Sequence, residues 1–437
     1  MTVIPVPNNL VSRQALSALI AQRQLMAALG VFHEALGNVF RIPVPGFNPV
    51  MLVGPEANRF VLVEARDALR WRSEQDPVTR LLRHGVLVED GDAHDRLRRE
   101  MNPALHRRAL EGYIETMWQS TDAVISGWAN AEGPVDMLVE MRRVALLILM
   151  ETLFRVDFAP ELDRLWTPIL KTLRYISPGP WILWRAIPRP GYRTALHQLD
   201  TYLQQLITIR RADTVRDDLL GMLIEAGMSD ALIRDQLLTL IIAGHDTSTA
   251  LLSWALYSLA VNPDIQAKAR EEVDLVTGGA TPTLASVGEL RYLGQIIDET
   301  LRLYPPIHLG SRVAARDLEF NGYPIPAGTR VLYSIYLSHR DKHYWHQPEV
   351  FDPDRFAPEQ ARQRPPYTFV PFGGGPRNCI GTAFAQVEAK IVLARCLQTY
   401  TFAFAGPPVH LHMGATLEPR PGVQVTVQRR NQAAPRA

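Results

Sequence analysis

Two stretches of this chain place reactive residue types at spacings that carry meaning. Near the C-terminal end stands Phe372-Gly373-Gly374-Gly375-Pro376-Arg377-Asn378-Cys379-Ile380-Gly381. Three consecutive glycines admit backbone conformations and close approaches that are barred to other residues. A helical pattern, Thr382–Leu397, follows at once, which puts Cys379 at a helix N-terminus where the dipole favours a thiolate. A thiolate beside backbone N–H donors is a nucleophile or an axial metal ligand, and the residues alone leave both open. The second stretch, Ala243-Gly244-His245-Asp246-Thr247-Ser248-Thr249, interrupts an apolar helical pattern. A glycine, an acid and three hydroxyl residues there cost propensity and desolvation. Hydroxyls bonding back to the preceding turn are one explanation. The other is chemical: Gly244 opens space beside the helix, and Asp246 with Thr247 forms a proton-handling pair.

The helix carrying this island is expected to run from Ser229 to Val261, capped by Ser229 or Asp230 and stopped by Asn262-Pro263. At ~1.5 Å per residue it is about 48 Å long, and being apolar nearly all round it must be buried. Helical spacing also recurs in Pro55–Leu62, Asp92–Leu110, Met137–Leu153 and Leu196–Arg211. Short strands are expected at Phe40–Ile42 and Val50–Val53, around a turn with Pro45, Gly46 and Pro49, and again at Val313–Phe320, Arg330–Tyr336 and Gly422–Val427. The pattern is mainly α (α+β), with small sheets near the chain ends.

Composition narrows the function. With 46 basic and 45 acidic residues among 437, the chain lacks the basic excess of a nucleic-acid binder. Its two cysteines, Cys379 and Cys396, exclude a disulfide scaffold and fit a reducing compartment. Asn8, Asn9, Arg13, Gln14, Gln22, Arg23 and Gln24 leave no room for an apolar signal or spanning segment in the first thirty residues. The expected location is cytoplasmic, with no transmembrane anchor. Dividing the length by ~150 residues suggests about three domains, yet no repeat or linker marks a boundary.

Phe372, Gly375, Arg377, Cys379 and Gly381 match all five fixed positions of Phe-x-x-Gly-x-Arg-x-Cys-x-Gly, the haem-binding signature of the cytochrome P-450 superfamily. A chance match is about one in ten thousand. The island resembles the same family's Ala/Gly-Gly-x-Asp/Glu-Thr-Thr/Ser element, in the right order. The family's Glu-x-x-Arg occurs five times here, at Glu56/Arg59, Glu140/Arg143, Glu161/Arg164, Glu299/Arg302 and Glu359/Arg362. Context selects Glu299/Arg302, which lies between the other motifs and precedes Leu303-Tyr304-Pro305-Pro306. The chain is identified as a member of this superfamily, of soluble bacterial type. The likeness covers about residues 35–428 and leaves 1–30 unassigned.

The resemblance implies a single domain over 1–437: a helical bundle around a buried haem, with small β-sheets. Cys379 becomes the thiolate ligand of the iron of haem b (iron protoporphyrin IX). The haem is non-covalent, since no Cys-x-x-Cys-His occurs. His94, Arg98, Arg312 and Arg377 are implied for its propionates, with Phe372, Gly373, Gly381 and Ala243 around it. Glu299, Arg302 and Arg355 (in Phe351-Asp352-Pro353-Asp354-Arg355-Phe356) form a structural network supporting the cysteine loop. Asp246 and Thr247 manage the protons that O2 activation consumes. Val86, Leu87, Ala243, Ile307, His308 and Leu309 line the substrate pocket, with His308 as a polar handle.

The implied function is monooxygenation: hydroxylation or epoxidation of a lipophilic small molecule of fatty acid, terpenoid or carotenoid type. No flavin or nicotinamide domain follows the cysteine loop, so a ferredoxin-type or flavodoxin-type donor with its reductase is expected. The run Arg96, Arg98, Arg99, Arg107, Arg108 reads as its docking face rather than a nucleic-acid site. Ile176–Gly191, with two tryptophans, suggests a lid reached from a membrane surface. His339, His343, His346, Glu349 and Asp352 match no zinc pattern. Two rivals remain: a non-oxygenating haem-thiolate protein (isomerase-like enzyme or ligand sensor), and a haem-free enzyme with Cys379 as nucleophile.

Overall fold

Helices long enough to bury an apolar stripe dominate the computed structural model, which describes residues 2–22, 24–43, 47–71, 73–179, 181, 187–214 and 217–430. Pro45 and Gly46 of the expected turn, and positions 180 and 182–186 of the suggested lid, lie outside the described residues. The helices that build the site are α1 (Gly91–Leu105), α2 (Met137–Leu153), α3 (Leu162–Ile176), α4 (Arg193–Ala212), α5 (Asp230–Leu240), α6 (Asp246–Val261), α7 (Arg291–Leu303) and α8 (Thr382–Thr399). α6 is buried nearly all round and packs against α2, α7 and α8.

One face is closed by a five-stranded sheet of β1 (Val39–Arg41), β2 (Val50–Leu52), β3 (Leu69–Arg70), β4 (Leu309–Ala314) and β5 (Arg330–Ser334), in the order β1-β2-β5-β4-β3. Only the β2–β5 pairing in it is parallel. The helices Asn9–Gln22 and Leu25–Leu36 pack together, and the second buries Met26 and Leu29 against Phe40 and Met51 of the sheet. Among the described residues no helix is long and apolar enough to cross a membrane.

The long helix forms, with one difference. Ser229 caps it, accepting from the Leu232 N–H at 3.3 Å. Between α5 and α6, however, Ile241–His245 widens into a π-helical turn. Other boundaries also move. Val313–Phe320 splits into β4 and the strand Leu318–Phe320. β5 stops at Ser334, whose hydroxyl caps a short helix, Ile335–Ser338, by accepting from the Leu337 N–H at 3.1 Å. The helix expected over Asp92–Leu110 breaks at His106, beyond Pro103. A hairpin of His410–Met413 and Leu417–Arg420 had no clear signal in the sequence.

Glu299 and Arg302 on α7 are fully buried and paired twice, at 2.7 and 2.8 Å. Arg302 also donates to the carbonyls of His339, Pro348 and Val350, while Glu299 accepts from the Asp352 N–H at 2.8 Å and lies 3.4 Å from Arg355. These bonds tie α7 to the segment leading into the cysteine loop. Removing one partner leaves a charge buried and unpaired, so Arg302→Ala should cost about 3–5 kcal/mol in urea unfolding. A loss under about 1 kcal/mol, the worth of an exposed pair, would assign the network no structural weight.

Candidate functional site

Phe372–Gly381 is a tight loop ahead of α8. The Cys379 N–H donates to the Phe372 carbonyl at 2.8 Å and closes it. Gly375 has φ of +63°, and a Cβ there would meet the Leu62 carbonyl oxygen at 2.4 Å, so no other residue fits without a shift. Cys379 lies two residues before the Gly381 cap, on the wall of a cavity of about 380 Å³. The sulfur is exposed in area yet surrounded by protein, because the space it faces is this cavity. Desolvation there pushes the thiol up, against the lowering effects of the Gly381 N–H, the Thr382 hydroxyl and the Arg98 charge. Burial and these polar neighbours thus act on the thiol in opposite directions.

The cavity collects the remaining expected residues. His94, Arg98, Arg312, Arg377, Phe372, Gly373, Gly381 and Ala243 line it, as do Asp246, Thr247, Val86, Leu87, Ile307, His308 and Leu309. Its cationic end is held by neutral groups as much as by acids. Arg98 donates to the Asn378 carbonyl at 2.6 Å. Arg312 donates to the Ser311 carbonyl at 2.8 Å, and its guanidinium lies 4.4 Å from the centre of the Trp71 ring. Arg377 lies 5.8 Å from the same ring and pairs with Asp90. His94 meets Asp95 at 2.8 Å, but desolvation still pushes its pKa down. No carboxylate lies within 4.0 Å of Arg98 or Arg312 among the described residues. That unbalanced charge beside a cysteine suits a flat apolar group with acidic side arms, and haem has that chemistry.

Across the cavity, the hydroxyls of the polar island bond back to the preceding turn. Thr247 donates back to the Ala243 and Gly244 carbonyls, at 2.7 and 3.2 Å. Asp246 bonds to other groups: Arg142 on α2 at 3.1 Å and the Thr416 hydroxyl, at the hairpin tip, at 2.9 Å. The space beside Gly244 is taken, since a Cβ there would meet Leu149 of α2 at 2.5 Å. Gly244 thus lets α2 pack closely, and it also lines the cavity.

Several functional neighbours escaped sequence reasoning. Arg142 sits on the buried face of an apolar helix, and Glu388 likewise on α8; a charge on an apolar stripe was a usable signal. Trp71 and Thr416 gave none, because only the fold brings them to the cavity. Glu388 lines the cavity and accepts from the Ser248 hydroxyl at 2.5 Å; burial pushes its pKa up to about 8. His339, from the rejected metal sketch, is buried and accepts from the Val370 N–H at 2.9 Å.

Comparison with known proteins agrees with this geometry. The family model for cytochrome P450 matches residues 5–427. A putative cytochrome P450 139 of Mycobacterium tuberculosis is 32% identical over 420 residues, 92% of this chain and 97% of the relative. Cyclooctatin synthase of Streptomyces melanosporofaciens is 32% identical over 398 residues, 87% of this chain and 85% of that one. Among solved structures, the retinoic acid-bound cyanobacterial CYP120A1 superposes with a TM-score of 0.84 at 26% identity, covering 95% of this chain and 96% of that one.

Glu388 yields a pH prediction. An acid whose folded pKa exceeds its unfolded value binds more protons when folded, so stability falls as pH rises between the two. With the folded value near 8 and the unfolded value near about 4.3, that loss develops from about pH 5 upward. Glu388→Gln should flatten the decline in thermal stability between pH 6 and 8. An unchanged decline would mean Glu388 is ionised throughout.

Proposed function

The chain belongs to the cytochrome P450 family, and from that premise we propose that it inserts one oxygen atom of O2 into a C–H or C=C bond of a lipophilic small molecule, with electrons from a separate donor protein. The observation that carries this is the meeting of Cys379, the arginine cluster and Thr247 on one cavity. When bound there with Cys379 as thiolate ligand, haem b supplies reductive activation of O2. His94, Arg98, Arg312 and Arg377 would hold its propionates. Cys379 would hold the iron as its thiolate.

Thr247, in the first turn of α6, lines the cavity, and a χ1 rotation would release its hydroxyl from the Ala243 carbonyl. Asp246, held by Arg142 and Thr416, relays protons toward Thr247 once one of those partners lets go. The apolar wall of Val86, Leu87, Leu149, Leu173, Ile176 and Ile242 excludes water and favours a lipophilic substrate. The retinoic acid held by the structural neighbour fits the same class. The donor is of ferredoxin or flavodoxin type and docks on the basic surface of α1, where Arg98 touches Asn378, the residue beside Cys379. A nucleophilic Cys379 would need a histidine beside it, and among the described residues no histidine is hydrogen-bonded to it.

Two measurements test this. The reduced protein with carbon monoxide should show a thiolate-type Soret shift that Cys379→Ser abolishes; no shift in the parent protein sinks the reading. Thr247→Ala should lower product formed per electron consumed by about tenfold or more, since positioned proton delivery is worth at least that much. Intact coupling would remove Thr247 from proton delivery.

A further inference from the structure

A second cavity, of about 310 Å³, lies behind α8 and shares no lining residue with the first. Phe384, Ala385 and Glu388 of α8 line the first cavity, whereas Ala383, Gln386, Val387 and Lys390, spaced as one helical face, line the second. Its other walls come from α7 and the short helix Leu284–Glu289, with Leu284, Val287, Ile297 and Val387 supplying apolar surface. Two charged side chains line it as well, Asp298 of α7 and Lys390. Both are partly buried. Asp298 has no hydrogen bond or ion pair among the described residues, and its carboxylate is not sealed off from the cavity it lines. Lys390 uses only one of its N–H donors, on the Val287 carbonyl at 3.0 Å. Gly294, one turn before Asp298, makes room for it, since a Cβ there would meet Lys390 Cε at 3.3 Å. Asp298 and Lys390 do not pair, lying more than 4.0 Å apart. The neighbouring charges are committed elsewhere. Glu272 accepts from the Tyr292 and Leu293 N–H groups at 2.7 and 2.9 Å, and Arg364 donates to the Arg355 carbonyl at 2.6 Å. Burial accordingly pushes the Asp298 pKa up to about 6 and the Lys390 pKa down.

We infer that this second cavity binds a small zwitterion with an apolar body, such as an α-amino acid with a hydrocarbon side chain, its ammonium on Asp298 and its carboxylate on Lys390. The inference stands apart from the monooxygenase reading and asks nothing of the first cavity. Opposite charges that share a partly desolvated space without touching each carry a cost that a partner of opposite sign removes. A lone cation would answer Asp298 but bring like charge toward Lys390, and a lone anion would do the reverse. A zwitterion answers both and leaves the net charge of the cavity unchanged. At pH 7.5, above its raised pKa, Asp298 is mostly ionised and receives the ammonium in a charge-assisted hydrogen bond. The apolar wall takes the hydrocarbon part, which favours a branched side chain over none.

The test is calorimetric titration of the haem-loaded protein at pH 7.5 with three matched probes. These are L-leucine, L-leucinamide, which keeps the ammonium alone, and N-acetyl-L-leucine, which keeps the carboxylate alone. Leucine should bind about tenfold more tightly than either, the factor a hydrogen bond to a charged group is worth. Glycine, with no hydrocarbon to bury, should bind about tenfold more weakly than leucine. Asp298→Asn should erase the preference for leucine over N-acetyl-leucine, and Lys390→Met the preference over leucinamide. Leucine affinity should stay the same when 4-phenylimidazole occupies the haem cavity. No leucine binding, equal affinity for the three probes, preferences that survive both substitutions, or displacement of leucine by 4-phenylimidazole would overturn the inference. Should a variant fail to fold, as its melting curve would show, the ranking of the three probes by the parent protein decides alone. The carbon monoxide spectrum of the same preparation judges the monooxygenase reading separately, so the two can fail independently.

Discussion

Arg302 and Glu299 are wholly buried, and a charge taken out of water is tolerated only when its partners are complete. The structure meets that requirement in three ways. The pair on α7 is saturated by carbonyls and a backbone N–H, so it acts as a fixed strut behind the cysteine loop. The Asp246–Arg142 pair joins two helices but has fewer bonds, and a hydroxyl shares the load. At the cationic end of the cavity, Arg98 and Arg312 rest on carbonyls and an aromatic face. The first arrangement is complete in itself, the second can be rearranged, and the third calls for an acidic ligand.

The π turn at Ile241–His245 links packing to chemistry. A helix crossing the centre of the molecule should be apolar and regular, and α5 and α6 largely are. The extra residue in the wide turn loosens the backbone ladder, and π-helical turns of this kind concentrate at functional sites. Thr247 and Thr249 donate back into the turn, which keeps their hydroxyls satisfied inside an apolar core. Leu149 of α2 packs where a Gly244 side chain would stand, so α2 and the widened turn are fitted to each other.

Long helices were legible because burial imposes a 3.6-residue period on their sequence; Met137–Leu153 is recovered residue for residue. The cysteine loop was legible because its geometry demands particular residue types, as Gly375 shows. Strand ends were blurred, since Arg330–Tyr336 keeps a strand-like composition through the point where Ser334 starts a helix. The partners of Asp246 were invisible for a different reason. Arg142 is 104 positions away and Thr416 is 170, and nothing local records that a helix and a hairpin tip converge on one carboxylate. Asp246 and Thr247 are neighbours in sequence, but successive helical residues point about 100° apart, and the two side chains bond to different groups.

That divergence bears on how the site can work. Thr416 lines the cavity and also holds Asp246, so the contents of the cavity and the hydrogen bonding of the acid are not independent. A ligand that contacts the hairpin tip differently in its two arrangements shifts the balance between them by its differential affinity and by no more than that. Glu418, two residues on in the strand that follows the tip, lies 3.9 Å from Arg142, and burial raises its pKa, with the Asp246 charge adding to the effect. Loosening Thr416 therefore changes the surroundings of two acids at once. The hairpin, which no motif marked, is the element through which the cavity and the buried carboxylate of Asp246 share a residue.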